Sequence, residues 1–121
     1  MHKIYYGKAV YNNKEIGAVL KVLKNQELSL IDGIHVKRLE RKVSKIFGKK
    51  YGLMVNSGSS ANLLALSSFN FKKGSEIITP CLNFGTAVSS IMLSNLIPIL
   101  VDCEVNTLQI DVNKIEEKIT K

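Results

Sequence analysis

The sequence predicts an α/β fold in which two amphipathic helices precede parallel strands that alternate with helices. Three observations carry this. Short runs of continuous apolar character stand at residues 51–56, 76–79 and 97–102. Each is followed by a segment of helical character. The first fifty residues instead show apolar positions at helical spacing, in two stretches separated by a connector. Runs without polar alternation belong to a parallel sheet covered on both faces, whereas the 3.6-residue period marks helices with one wet side.

The first helix is expected over residues 12–23. Asn12 can cap it, with Glu15 three residues on, and Ile16, Val19, Leu20 and Leu23 fall on one face. Residues 26–33 are a connector. A second helix is expected over 34–47, with Val36, Leu39, Val43, Ile46 and Phe47 inward, Asp32 as cap and Gly48 as stop. After Lys50 the pattern changes. The apolar run at 51–56 leads to a helix that opens at Gly58; residues 61–69 are apolar on nearly all sides, which predicts burial. A mixed apolar helix is expected over 86–93, after the second strand. An amphipathic helix capped by Asp111 is expected over 112–119, after the third. The organisation read from this is a helical segment at 1–50 and an incomplete α/β domain at 51–121.

Composition narrows the function classes. A chain of 121 residues with 45% hydrophobic residues can bury one modest core and is not disordered. The formal charge is +7, concentrated in residues 1–50, which hold 12 Lys/Arg against 4 Asp/Glu; residues 51–121 hold 5 against 6. Only Arg38 and Arg41 are arginines, and the lysines lie beside apolar stripes, so the charge reads as solvated surface rather than a nucleic-acid face. The opening MHKIYYGK has no apolar run behind its charge, so no signal peptide is expected, and a cytoplasmic location is. The most apolar stretch, 91–101, is broken by Ser94, Asn95 and Pro98 and is too short to span a bilayer. Cys81 and Cys103 have no metal-type spacing and no histidine beside them in sequence. They read as free thiols of a reducing compartment, with a catalytic thiol as the alternative, and no metal site is expected.

The chemistry is concentrated in MVNSGSSANLLAL, residues 54–66. A helix N-terminus presents unpaired N–H groups and a partial positive charge. Gly58 permits close approach of an anion, and Ser57, Ser59 and Ser60 add hydroxyls. This is the composition of a phosphate cup; it is equally that of a serine cap and a tight turn. Neither a G-x-G-x-x-G nor a P-loop spacing is present. The second strand ends in Thr79-Pro80 and leads into residues 81–85, which carry Phe84. Parallel sheets bind ligands beyond the carboxyl ends of their strands, and an aromatic there can lie flat on a planar ligand. Phe84 can also be a core residue at a helix start.

Taken together, VNSGSSANLLAL, EIITPCLNFGTAV and IPILVDCEVNTLQID resemble the N-terminal part of the DegT/DnrJ/EryC1/StrS family. The segment GIHVKRLERKVSKIFGKKYG resembles the family's entry helix, so the likeness runs along essentially the whole chain. The family comprises pyridoxal-phosphate (PLP) enzymes of the aspartate-aminotransferase fold that act on sugar nucleotides. The resemblance implies that this chain is the N-terminal part of the PLP-dependent aminotransferase large domain, with PLP as cofactor of the complete enzyme.

By that resemblance Gly58, Ser59 and Ser60 hold the cofactor phosphate and Phe84 stacks on the pyridine ring; Asp102 matches an acidic residue at the end of the third strand and is read as structural by default. The sequence departs from the family at Asn83, Gln109 and Leu39, where threonine, asparagine and phenylalanine are common. The pyridinium-binding acid and the lysine that binds the cofactor covalently lie further along the family's chains. No lysine here stands in that context, so no catalytic residue is assigned and the chain alone is expected to be inactive. The implied partners are a keto sugar nucleotide, an amino-acid donor and a second subunit in a homodimer. A branch of the family has histidine in place of the lysine and performs 3-dehydration instead of amino transfer. That branch, and a non-catalytic module binding a phosphate ligand or nucleic acid, are the alternatives.

Overall fold

The computed structural model describes residues 4–120. The chain separates into two compact units, Met1–Met54 and Val55–Lys121.

The first unit holds α1 (Asn13–Lys24) and α2 (Ile34–Ile46). The capping box of α1 forms as expected. The Asn12 side chain accepts from the Lys14 amide at 2.8 Å, and Glu15 accepts from the Asn12 amide at 2.7 Å. That donated hydrogen bond holds the Glu15 carboxyl below its ordinary 4.5. The cap of α2 is Gly33, not Asp32. Asp32 takes a left-handed φ of 50° and pairs with Lys37 at 3.3 Å. Glycine is required at the cap because a Cβ there would overlap the Ser29 carbonyl oxygen. Gly48 ends the helix with a φ of 62°, as the sequence predicts.

The predicted strand at 51–56 does not form. Strands exist by pairing, and among the described residues no neighbouring segment offers this run a ladder. Residues 52–54 instead approach α2. The Met54 amide donates to Glu40 Oε1 at 2.7 Å, and Gly52 comes so close that a Cβ would lie 2.9 Å from the Glu40 carbonyl oxygen.

The second unit runs α3 (Gly58–Ser68), β1 (Glu76–Pro80), α4 (Gly85–Leu93) and β2 (Ile97–Val101). The strands β1 and β2 are parallel, in register from Glu76 opposite Ile97 to Pro80 opposite Val101. The crossover between them is α4, which packs on both strands and on α3. The core is small and sits there: Ile91, Leu96 and Val101 are buried, together with Thr79 and Ser90.

The helix expected over 112–119 is two short 3₁₀ turns, Val112–Lys114 and Glu116–Lys118. Its hydrogen bonds run from Lys114 to Asp111, Ile115 to Val112, Lys118 to Ile115 and Ile119 to Glu116, all three residues back. A segment this short needs packing to hold an α-helix, and α4, only one residue longer, has β1, β2 and α3 to pack on. Asp111 caps it as expected, accepting from the Asn113 amide at 3.1 Å.

Burial is the larger correction. The apolar face of α1 is solvent-exposed, and so are Leu39, Val43, Ile46 and Phe47 of the α2 face; Val36 is half-buried. No residue of α3 is buried either, and Leu64 is 47% exposed. The sequence pattern reports which faces are apolar, but burial needs a second layer to cover them.

Candidate functional site: a helix N-terminus and the strand-exit loop

The helix α3 begins where the sequence places it. Ser57 is extended (φ −160°, ψ 160°), and its side chain caps the helix by accepting from the Ser60 amide at 3.1 Å. The Ser57 carbonyl takes the Ala61 amide at 3.0 Å. The Ser57 hydroxyl also donates to Ser60 Oγ at 3.1 Å. Two backbone donors are left over: among the described residues nothing accepts from the amides of Gly58 or Ser59. The Ser59 hydroxyl is likewise without a partner there, and a Cβ built on Gly58 meets nothing within 4 Å. The result is a helix terminus with two unpaired amides, an unpaired hydroxyl and an open approach, which is the arrangement that takes an anion.

The structure therefore divides the four serine-and-glycine positions. Ser57 is a cap, and the Ser60 amide is spent on it. Gly58 and Ser59 keep their amides, and Ser60 presents its hydroxyl. Spacing alone could not make this division, because any of the serines can cap.

The loop after β1 holds the second predicted element. Phe84 is the N-cap residue of α4 and is 70% exposed, so it is not a core residue. Its amide donates to the Asn83 carboxamide oxygen at 2.7 Å. Asn83 also lines an open groove of about 450 Å³ with Asn62 and Leu66 of α3, Thr79 of β1 and Ala87 and Ile91 of α4. The packing of α3 on α4 thus joins the helix that carries Gly58 to the helix that follows Phe84.

Asp102 lies one residue beyond β2. Its carboxylate accepts from the Cys103 amide at 2.8 Å and from the Cys81 thiol at 3.5 Å, and pairs with Lys114 Nζ at 3.6 Å. These contacts, the Cys103 amide foremost, hold the carboxyl below its ordinary range. Its backbone carbonyl takes the Asp111 amide at 2.9 Å, and Cys103 bridges Ile110. Asp102 therefore fastens the segment after β2. The meeting of Cys81 with Asp102 had no sequence signal, since it depends on the parallel register of strands whose residues are 21 apart. Desolvation, then Asp102 and Cys103, push the Cys81 thiol above its ordinary value.

Among the described residues no helix is long and apolar enough to cross a membrane, and no group of three or more His, Cys, Asp or Glu is placed to hold a metal ion.

Comparison with known proteins gives this geometry a context. A GDP-4-keto-6-deoxy-D-mannose 3-dehydratase of Escherichia coli O55:H7 is 35% identical over 118 residues, covering 93% of this chain and 30% of that protein. A dTDP-3-amino-3,6-dideoxy-alpha-D-galactopyranose transaminase of Aneurinibacillus thermoaerophilus is 35% identical over 88 residues, covering 73% of this chain and 24% of that one. A solved E. coli GDP-4-keto-6-deoxy-D-mannose-3-dehydratase with bound hydrated PLP superposes with a TM-score of 0.85 at 34% identity, over 99% of this chain and 32% of that one. The chain thus spans less than a third of the length of the curated relatives it matches. Its α/β architecture is that of the N-terminal part of PLP-dependent aminotransferase-fold proteins. With residues 10–121 matching the family pattern, the chain belongs to the DegT/DnrJ/EryC1/StrS aminotransferase family.

Proposed function

We propose that this chain supplies the cofactor-phosphate cup and the ring platform of a PLP-dependent enzyme that acts on keto sugar nucleotides. The observation that carries the proposal is the helix terminus at Gly58 and Ser59, with two amides unpaired and space in front of them. A phosphate dianion fits that donor set in charge and in hydrogen-bond count. The exposed ring of Phe84 fits a flat heterocycle.

In this reading the Gly58 and Ser59 amides and the Ser59 and Ser60 hydroxyls donate to phosphate oxygens. Ser57 keeps the terminus rigid, so those donors need no rearrangement on binding. Phe84 orients the ring by stacking. PLP supplies an electron-withdrawing ring that stabilises negative charge at the substrate carbon attached to the amine. No lysine of this chain is given the covalent role, and none of its carboxylates the pyridinium role. Residues 51–121 are read as the incomplete PLP-binding large domain and 1–50 as its helical entry segment. The complete enzyme is read as a cytoplasmic homodimer.

The reaction proposed is amino transfer from an amino acid to the keto sugar nucleotide. The 3-dehydratase branch is the second reading: a dehydratase and a transaminase are each 35% identical to this chain over the aligned residues.

Two measurements test this. Titration of the chain with PLP, pyridoxal and inorganic phosphate, followed by ligand fluorescence and phosphorus NMR, should show PLP binding well above pyridoxal, with phosphate competing. Equal binding of PLP and pyridoxal would remove the cup from the proposal. The coding sequence past Lys121 then separates the reactions: a lysine at the family's covalent position means amino transfer, and a histidine means dehydration.

A further inference from the structure

The two cysteines are 22 positions apart in sequence, yet the parallel register sets them side by side. The Cys81 amide donates to the Val101 carbonyl at 2.9 Å, which continues the β1–β2 ladder by one residue and puts Cys81 beside Asp102. Cys103 is the next residue. The strand β2 ends at Val101, so the regular alternation that would put Cys103 on the face opposite Cys81 stops before it. The same Asp102 Oδ1 accepts from the Cys81 thiol at 3.5 Å and from the Cys103 amide at 2.8 Å, so one atom holds both cysteines at the strand ends. Cys103 also contributes to raising the Cys81 thiol above its ordinary value. Both cysteines are free; Cys81 is exposed and Cys103 half-buried, so a small oxidant reaches the pair.

The geometry points to a reversible thiol–disulfide modification site formed by Cys81 and Cys103, with a peroxide as the oxidant. One cysteine sulfur, as thiolate, attacks a peroxide oxygen. The O–O bond breaks, and hydroxide leaves and is protonated to water. The sulfenic acid formed is attacked by the second thiolate, its S–O bond breaks, and a second water leaves. Two electrons pass from the sulfur pair to the peroxide, and both thiol protons end in water. The product ties the start of the 81–84 loop to the segment after β2. It also withdraws the thiol donor from Asp102, which keeps the Cys103 amide and Lys114. The inference does not depend on the cofactor reading, because it uses neither Gly58 nor Phe84.

The test is to treat the chain with hydrogen peroxide, quench, and map it without reduction. Trypsin leaves both cysteines in one peptide, residues 74–114, since no lysine or arginine lies between. A protease that cuts before aspartate then cleaves ahead of Asp102, between the two cysteines. The expected result is a monomer lighter by two hydrogens, whose two cysteine-bearing fragments, 74–101 and 102–110, stay joined until dithiothreitol is added. The yield should be independent of protein concentration, and the link should be absent in Cys81→Ser and in Cys103→Ser. Fragments that separate and carry only added oxygen would overturn the inference, as would disulfide-linked dimers alone. The wild-type map decides even if a serine variant fails to fold.

Discussion

Replacing Gly58 with valine separates a ligand cup from a structural cap. The chain around Gly58 has no objection to a side chain: a Cβ meets nothing within 4 Å, and its φ is not in the left-handed region. Glycine is also a poor helix residue, costing about 0.8–1.0 kcal/mol relative to alanine. Helix α3 should therefore form in Gly58→Val at least as well as in the parent, with an unchanged circular dichroism spectrum and an unchanged or slightly higher melting temperature. Binding should fall. The isopropyl group occupies the space through which an anion reaches the Gly58 and Ser59 amides. A hydrogen bond to a charged group contributes about 1.5–3 kcal/mol. At 1.4 kcal/mol per tenfold, loss of one amide contact weakens PLP binding about 10- to 100-fold. The assay is PLP fluorescence titration of parent and variant at one ionic strength, with pyridoxal as control. Pyridoxal affinity should change much less. An intact fold with unchanged PLP affinity would refute the argument that the open space at Gly58 serves an anion, and Ser-Gly-Ser-Ser would then be a cap and a turn.

Three further outcomes follow from the same geometry. Ser57→Ala removes the acceptor of the Ser60 amide and should destabilise α3 by about 1 kcal/mol, seen as faster exchange of the Ser60 amide. Gly52→Ala drives a Cβ to 2.9 Å from the Glu40 carbonyl oxygen, a backbone atom; a cost of about 1–3 kcal/mol is expected, read as loss of the Met54 to Glu40 hydrogen bond by NMR. The Glu15 carboxyl is depressed in the folded chain, so its contribution to α1 is present above its unfolded value and lost as pH falls through the lower folded one. Residues 13–16 should fray in that acid window, and Glu15→Gln should flatten the response in a pH series of amide shifts.

The parts legible in the sequence are those set by local chemistry. The capping box at Asn12 and Glu15, the stop at Gly48 and the opening of α3 after Ser57 each depend on residues within one turn of one another. The parallel pair β1 and β2 was legible too, because an apolar run, a helix and a second apolar run admit few other arrangements. Gly58, Ser59, Ser60 and Phe84 stand at element starts for the same reason.

Tertiary structure decided what depends on a neighbour. Residues 51–56 have strand composition and no ladder, and their glycine turns against α2 instead. Residues 112–119 have the periodicity of a helix but close only 3₁₀ turns. The apolar faces of α1 and α2 lie largely open, and so does Leu64 of α3, although their patterns predict burial. Periodicity records the face a residue presents, while burial and pairing are properties of two segments at once. The same holds at the sites: only the folded chain spends the Ser60 amide on Ser57, and only the β1–β2 register brings Cys81, Asp102 and Cys103 together.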